Sequence, residues 1–467
     1  MPGKYVGNVP GAPARNPALR EELPRMTRSL LSQVALHLKS KGMMDAAIRR
    51  NPWIRRRVLD TIDRWHDLSS TDIATLVDDL TNRSLRAARR TPYGRERSGN
   101  YRDWPILDRD LVRKAPQNFA NPLHLLRVPA STGGTTGNPL KLWRSMECIV
   151  AEQCFLDDLL APHGFSMHGS RVAVLRADKV KDANDNDPPF GRLTHGGRRL
   201  ALSTPHLNQR TMNWFCKALQ DFAPLILWVY PSAALSFLKL LERSHGSLNI
   251  PVILASSEVL SPELHAALEG RFGCDVINYF GQAERVCFAH STKPNEFYFN
   301  PCYGRVELIP SEPSEDPSVR RFKIIGTSHW NAAMPLVRYE TGDSLVVPQS
   351  YDAADLSEVT LGRKPFIRLE GREGEYLLTG DGVRIIGLNQ IPRELNNVLQ
   401  LQLVQHSFDA VAINVVAMPS FSSQDAKQIL QQARAKIPAS ITITVDVVDH
   451  LTVNVRGKAP FVLRMMD

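Results

Sequence analysis

The chain has 467 residues, 43% of them hydrophobic and 22% charged, which is the composition of a soluble globular protein and a length that predicts two or more domains. No run of about 18 apolar residues occurs, so no transmembrane helix is expected. The formal net charge of +9 arises in the first 100 residues, which hold 19 Lys and Arg against 10 Asp and Glu. These arginines follow a helical pattern without interleaved aromatic residues, which favours a solvated helical face over nucleic-acid binding.

The N-terminal segment and the spacing of the cysteines both favour a cytosolic location. Residues 1–26 are expected to form a flexible, Pro/Gly-rich N-terminal arm, and they lack the apolar core of a signal peptide. Six cysteines are scattered without disulfide-like spacing, as expected in a reducing compartment. Cys287, His290 and Cys302 are close enough in sequence to suggest zinc, but a fourth ligand is missing and core or loop roles are favoured.

The first hundred residues predict several amphipathic helices. Between residues 27 and 90 the apolar side chains recur every three or four positions, and Ser70 or Thr71 could cap the third helix. Residues 87–119 then read as a loop, a short extended piece and a helix that begins at an Asp. A short apolar segment, Leu125–Ala130, predicts a strand.

The centre of the chain alternates short apolar strands with longer helices, which predicts parallel βαβ units with helices on both faces of a sheet. Ligands of such sheets bind beyond the carboxyl ends of the strands. The predicted elements are helix Met146–Leu160, strand Ser170–Arg176, helix Arg210–Phe222, strand Leu225–Val229, helix Ser232–Arg243, strand Val252–Ala255, helix Pro262–Phe272 and strand Val276–Tyr279.

A loop rich in Gly, Ser and Thr, STGGTTGNP at Ser131–Pro139, follows the Leu125–Ala130 strand. Glycines let backbone N–H groups face an anion and the hydroxyls add donors, so this loop is a candidate phosphate site. The alternative is a flexible surface turn. It is not a Walker A loop, because no Gly-Lys-Ser/Thr closes it.

Two carboxylates stand at the ends of predicted strands. Glu284, in FGQAE, is placed to bind Mg²⁺, or else to pair with Arg285. Asp343, in the sequence MPLVRYETGD, lies in a Thr-Gly-Asp turn at the mouth of a strand, where it could accept from two ribose hydroxyls or simply form the turn. Arg338 of the same segment either anchors the loop or faces a nucleotide.

These motifs, in this order, resemble those of the adenylate-forming superfamily, in particular the branch of phenylacetate-CoA ligase and the CapK-type proteins. The resemblance covers residues 87–461 and departs from the family pattern at Asn138 in place of lysine, Phe280 in place of tyrosine and Ala283 in place of a hydroxyl residue. It implies Mg²⁺ at Glu284, a catalytic lysine at Lys458, and ATP contacts at Thr132, Gly133, Gly134, Thr135, Thr136, Gly137, Ser257, Glu258, Phe280, Gly281, Arg338, Asp343 and Arg372.

The resemblance also implies the domain organisation. A large α/β domain, residues 27–371 with a helical front end at 27–90, would be followed by a small, mobile α+β lid at 372–467. Arg372 and Glu373 would form the hinge between them. Within the lid the sequence itself predicts strand Ala410–Val416, helix Ser423–Ile437 and strand Ile441–Val448.

The implied function is an ATP-dependent ligase that activates a carboxylic acid as an acyl-adenylate and transfers the acyl group to a thiol, most simply CoA. Two alternatives are a CapK-like enzyme that uses an amine or sugar acceptor in polysaccharide or secondary-metabolite synthesis, and a non-catalytic nucleotide-binding relative. The acyl pocket is expected around Trp228–Ser232 and Asn278–Phe280, although an aromatic residue there could equally belong to the core.

Overall fold

A computed structural model describes residues 51–131, 140–176, 180–181, 185–242, 248–312, 314, 316–370, 376–380, 384–385, 388, 391–392, 395, 397–453 and 459–466. The helices of these residues are α1 (Pro52–Asp67), α2 (Ser70–Ala88), α3 (Arg109–Lys114), α4 (Met146–Leu160), α5 (Met212–Phe222), α6 (Pro231–Leu241), α7 (Pro262–Phe272), α8 (Ala353–Thr360) and α9 (Ser423–Arg434). No helix among these residues combines the length and the apolar composition that a membrane-spanning helix needs.

The strands of the same residues form two larger mixed sheets, one antiparallel sheet and two two-stranded ribbons. They are β1 (Val128–Ser131), β2 (Lys141–Arg144), β3 (Val172–Leu175), β4 (Gly191–Thr194), β5 (Arg199–Leu202), β6 (Ile226–Val229), β7 (Val252–Ser256), β8 (Asp275–Gly281), β9 (Phe288–Ser291), β10 (Tyr298–Phe299), β11 (Gly304–Pro310), β12 (Val319–Ser328), β13 (Tyr339–Pro348), β14 (Arg368–Glu370), β15 (Leu377–Leu378), β16 (Arg384–Ile385), β17 (Val398–Ser407), β18 (Ala410–Ala417), β19 (Thr442–Val447) and β20 (Val462–Arg464).

The helical front end is confirmed in α1 and α2, both of which bury one apolar stripe. The N-terminus of α1 is capped by Asn51, whose side chain accepts from the Ile54 amide, and Pro52 occupies the first turn. The cap of α2 is Ser69, which accepts from the Asp72 amide. The prediction of Ser70 or Thr71 was therefore wrong, because the residue that keeps an extended backbone before the first turn is one position earlier.

The largest sheet has eight strands in the order β10-β9-β8-β7-β6-β3-β5-β4. Strands β5, β3, β6, β7 and β8 are mutually parallel, which confirms the predicted α/β fold, and antiparallel strands β9, β10 and β4 extend it at the edges. Residues of α5, α6 and α7 pack on one face, whereas residues of α1, α2 and α4 pack on the other. The alternation of short buried strands with helices produces this two-sided layering.

A four-stranded antiparallel sheet, β11-β12-β13-β14, follows in the chain and contains Asp343. The predicted position of Asp343 in a turn at a strand mouth was wrong, since β13 continues through it. Pairing shifts from Ile325↔Glu340 to Lys323↔Ser344, so residues 341–343 bulge opposite a single residue of β12. Gly342 has a φ of 75°, and this left-handed conformation allows the bulge.

The C-terminal sheet has the order β19-β18-β17-β20 and its own hydrophobic core, to which α9 contributes. Strands β18 and β19 flank α9 in the predicted order, and they pair in parallel. The sheet also contacts α6: Lys239 Nζ donates to the carbonyl oxygens of Leu395 and Val398, each at 2.7 Å, and Ser236 Oγ donates to the Leu399 carbonyl at 3.0 Å.

Candidate active site

Several of the predicted site residues lie outside the described residues: Thr132, Gly133, Gly134, Thr135, Thr136, Gly137, Arg372 and Lys458, together with the hinge residue Glu373. The described ones are Ser257, Glu258, Phe280, Gly281, Glu284, Arg338 and Asp343. Most of these lie at or beyond the carboxyl ends of β7 and β8 and in the bulge of β13. This is the edge at which parallel sheets bind their ligands.

Glu284 is a buried carboxylate with one satisfied and one unsatisfied oxygen. Its side chain follows the end of β8 and only 1% of the residue is exposed. The Tyr339 hydroxyl donates to Oε1 at 3.1 Å, while Oε2 is buried and has no hydrogen-bond partner among the described residues. A buried carboxylate oxygen without a donor is costly unless a cation or another ligand supplies the missing interaction.

The segments that carry Glu284 and Asp343 contact one another through Gln282. Its side-chain amide lies 3.4 Å from Asp343 Oδ2 and 3.0 Å from the sulfur of Cys287. Burial raises the pKa of the Cys287 thiol, and the Asp343 and Glu284 carboxylates add to the rise. The thiol therefore stays protonated and donates to Gln282 Oε1 at 3.3 Å. Two carboxylates separated by about sixty positions in the chain are thus held in one buried polar cluster.

Arg285 does not pair with Glu284, so that alternative reading of the FGQAE motif is not realised. Its guanidinium instead forms an ion pair with Glu152 of α4, and the Tyr303 hydroxyl donates to the other Glu152 oxygen at 2.6 Å. Arg285 has a left-handed backbone with a φ of 60°. The ion pair therefore ties a strained turn to α4 and directs the preceding residue, Glu284, inward.

Glu152 and Tyr303 were missed by sequence reasoning. Glu152 lies on a face of α4 whose other residues are apolar, and it is only 6% exposed. A charged residue on the buried face of a predicted helix requires a partner, and that signal was available. Its partner could not be identified from spacing, because Arg285 is more than a hundred residues away.

Ser257 and Glu258 form the turn that follows β7. Ser257 has a φ of 72°, a conformation that disfavours residues with a Cβ. Glu258 Oε2 accepts from the amide of Ser232, in the first turn of α6, at 2.9 Å. At the end of the next strand, Phe280 packs against the core of β9–β13 and Gly281 precedes the polar cluster.

Arg338 is held on all sides by structural partners. Its Nε and Nη2 donate to the two oxygens of Glu307 at 3.0 and 2.9 Å, and its Nη1 donates to the Trp104 carbonyl at 2.6 Å. Of the two roles expected for Arg338, this geometry favours anchoring of the loop over contact with a nucleotide.

The three residues considered for zinc do not form a metal site. No group of three or more His, Cys, Asp or Glu suited to a metal ion occurs among the described residues, which include all three. Cys287 contacts Gln282, and the sulfur of Cys302 faces the Thr61 carbonyl. His290 is largely buried, its Nδ1 has no hydrogen-bond partner in the described part of the chain, and burial lowers its pKa to about 4.

Comparisons with known proteins agree with this architecture. The model of the CapK C-terminal domain family matches residues 377–465. The chain is 22% identical to protein CapK of Staphylococcus aureus over 326 residues, which span 68% of this chain and 69% of the relative. It is 23% identical to phenylacetate-coenzyme A ligase of Aromatoleum evansii over 220 residues, 44% of this chain and 45% of that protein.

A solved structure of 2-hydroxyisobutyryl-CoA ligase, in the postadenylation state with 2-HIB-AMP, shares the fold. The alignment covers 84% of this chain and 89% of that chain, with a TM-score of 0.52 and 12% sequence identity. A second structure of the same ligase, with R3-HIB-AMP, aligns with a TM-score of 0.51 at the same identity and coverage. The chain is therefore a homologue of CapK and of phenylacetate-coenzyme A ligase, shares the fold of 2-hydroxyisobutyryl-CoA ligase, and matches the CapK C-terminal domain model at residues 377–465.

Proposed function

We propose that this protein adenylates a carboxylic acid: the acid's carboxylate attacks the α-phosphorus of ATP, pyrophosphate leaves, and the acyl-adenylate then passes its acyl group to an acceptor. The observation that carries the proposal is the buried cluster in which Gln282 links the Glu284 and Asp343 segments at the carboxyl edge of the parallel sheet. Such a cluster suits a ligand that presents both a cation–phosphate group and a ribose.

Mg²⁺ fits at Glu284. The unpartnered Oε2 supplies the single protein carboxylate that this hard cation usually takes alongside phosphate oxygens. When bound there, Mg²⁺ would neutralise charge on the phosphates. The Tyr339 hydroxyl holds Oε1, which leaves Oε2 as the oxygen that faces the ligand.

The remaining residues would bind and orient the two substrates. Asp343, fixed in the β13 bulge beside Gln282, would accept hydrogen bonds from the ribose hydroxyls. Residues Thr132 to Gly137 would hold the phosphates through backbone amides and hydroxyls, and Lys458 would neutralise the reacting carboxylate and α-phosphate. Because two anions must meet, charge neutralisation and positioning dominate this step over acid–base catalysis.

Residues 372–467 would form the lid in this proposal, with Arg372 contacting ribose or phosphate and Glu373 at the hinge. Rotation of the lid after adenylation would withdraw Lys458 and admit the acceptor. Motions of this kind often limit turnover. The acceptor is a thiol, with CoA the first candidate.

A second candidate differs only in the acceptor. It is an amine or sugar hydroxyl, the acceptor inferred from the resemblance to CapK, which the match of residues 377–465 and the longer alignment to CapK support as the alternative to CoA. CoA-dependent release of AMP would support the first candidate, and amine- or sugar-dependent release would support the second.

The test of adenylation is carboxylate-dependent exchange of labelled pyrophosphate into ATP, measured over a panel of aryl, fatty, amino and dicarboxylic acids. We expect exchange that requires Mg²⁺ and is lost in Glu284→Gln and in Lys458→Ala. The matched control is Glu340→Gln. Glu340 lies on β13, the strand of Asp343, and its carboxylate pairs with Lys323 of β12. Exchange with no acid, together with MgATP binding, would replace the proposal with a non-catalytic nucleotide-binding protein.

A further inference from the structure

Arg176 stands in a row of polar and aromatic residues at the carboxyl edge of the parallel sheet. It directly follows β3, whose Leu175 pairs with Val229 of β6. Val229 in turn pairs with Ala255 of β7. The next residues along these strands, Arg176, Tyr230 and Ser256, are therefore at one level on the side where ligands bind.

The Arg176 guanidinium is oriented by aromatic rings and by little else. Its Cζ is 4.1 Å from the centroid of Trp228 and 4.8 Å from that of Tyr230, distances at which cation–π attraction holds the group in place. Nη2 lies 3.4 Å from both the Tyr230 hydroxyl and the Ser257 hydroxyl, which makes these contacts weak. The Nε is buried and has no acceptor among the residues that the structure describes.

Two other half-buried arginines of this protein each have a carboxylate partner, while Arg320 donates to the Tyr351 carbonyl. Arg338 is paired with Glu307, and Arg285 with Glu152. Within the described part of the chain, Arg176 forms no ion pair, although its side chain is half-buried. Glu258, the carboxylate next to Ser257, accepts instead from the Ser232 amide. A guanidinium that is positioned, partly desolvated and unpaired has unused donors for an anion.

Arg176 and Glu284, the proposed Mg²⁺ ligand, follow different strands of the sheet. Strand β8, which leads to Glu284, is three strands away from β3. At about 4.8 Å per strand, the two strands are about 14 Å apart. The rings between them, Trp228 and Tyr279, lie with centroids 6.5 Å apart, and the Trp228 indole donates to Ser256 Oγ at 3.2 Å. These residues overlap the segments predicted to form the acyl pocket.

We propose that Arg176 binds a second anionic group on the carboxylic acid substrate, so that the preferred acid is a dianion, such as a dicarboxylate, rather than a simple fatty or aryl acid. The inference rests on the proposed adenylation. The bidentate fork of the guanidinium matches a carboxylate, and the Trp228 and Tyr230 rings keep the fork oriented before the substrate arrives.

The experiment is pyrophosphate exchange with matched pairs of acids: succinate, glutarate, adipate and phthalate against butyrate, pentanoate, hexanoate and benzoate. In the wild type, at least one dianion should have a kcat/KM about ten times that of its matched monoanion or more. Arg176→Met should lower kcat/KM for that dianion by about 10- to 100-fold, mainly through KM, and leave the monoanion unchanged.

Two further variants separate binding from folding. Arg171→Met removes an exposed arginine at the opposite end of β3, where it donates to the Ala223 carbonyl, and should leave the selectivity intact. Arg176→Lys keeps the charge but loses the fork and should retain part of the preference for dianions. All three variants should melt within a few degrees of the wild type.

The outcomes distinguish the two proposals. Exchange that favours monoanions in the wild type and is unaffected in Arg176→Met would overturn the dianion assignment, while the exchange itself would uphold adenylation. Absence of exchange with every acid of the panel would overturn the adenylation proposal, and the assignment of Arg176 with it.

Discussion

The ion pair between Glu152 and Arg285 provides the sharpest test of how the fold positions Glu284. Glu152→Gln keeps the size of the side chain but removes its charge, leaving Arg285 in a site where its side chain is only 19% exposed. Breaking a buried pair from one side costs about 3–5 kcal/mol, and the partial exposure of Arg285 places the expected loss near the lower bound, about 3 kcal/mol.

The companion variant replaces both charges. In Glu152→Met/Arg285→Met neither partner is left as an unpaired charge, so the free energy of unfolding should return to within about 1–2 kcal/mol of the wild type. The turn that orients Glu284 would nevertheless lose its ion pair with α4. We therefore expect this variant to be stable but to bind MgATP poorly.

Urea unfolding, followed by tryptophan fluorescence with and without MgATP, measures both effects. A ligand at 100 times its dissociation constant adds about 2.7 kcal/mol to the stability of a protein that binds it only when folded. The wild type should show this increment and the double variant should lack most of it. The reasoning would be refuted if Glu152→Gln lost less than about 1 kcal/mol, or if the double variant were as unstable as the single one.

Three further predictions concern Arg338, Ser257 and two histidines. Arg338→Met should lower the free energy of unfolding by about 2–3 kcal/mol, because Glu307 loses a charged partner; the stabilisation by MgATP should persist, and its loss would show that Arg338 contacts the nucleotide. Ser257→Gly should raise the free energy of unfolding by about 0.5 kcal/mol in urea titrations, because the relief of about 1–2 kcal/mol of left-handed strain exceeds the entropy cost of glycine. Ser257→Ala keeps the Cβ and should not raise the free energy of unfolding. Burial lowers the pKa of His290 to about 4 and that of His329 to about 3, from an ordinary 6.5. Both favour the neutral form in the folded state, so their contribution to stability is complete above pH 6.5 and is lost as the pH falls toward 4 for His290 and toward 3 for His329. His290→Gln should therefore reduce the slope of the stability–pH curve between pH 6.5 and 4, and an unchanged curve would contradict the assignment.

Elements whose signal is local were predicted well. Helices α4 and α7 begin and end at the predicted residues, and the parallel strands β3, β6, β7 and β8 differ from prediction by only a few residues at their ends. Their alternation of short apolar runs with amphipathic helices is a property of neighbouring residues. The β18-α9-β19 unit was predicted for the same reason.

Elements that depend on distant pairing were missed. Strand β17 forms the centre of the C-terminal sheet, yet its sequence, VLQLQLVQHS, was not recognised as a strand. The sheet β11-β14 was also missed, and with it the bulge that holds Asp343, because a bulge exists only relative to the partner strand. No local pattern distinguishes a turn from such a bulge when both contain Thr-Gly-Asp.

The sequence by itself predicted the α/β layering, and it singled out Glu284 and Asp343 in the motifs that carry the resemblance, because residue type and short-range spacing carry that information. Only the tertiary structure showed that Arg338 anchors a loop, that Arg285 pairs with Glu152, and that Arg176 forms no ion pair with any carboxylate of the described residues. The partner of a charged side chain depends on which segments the fold brings together, and Glu152 and Arg285 are more than one hundred residues apart in the sequence.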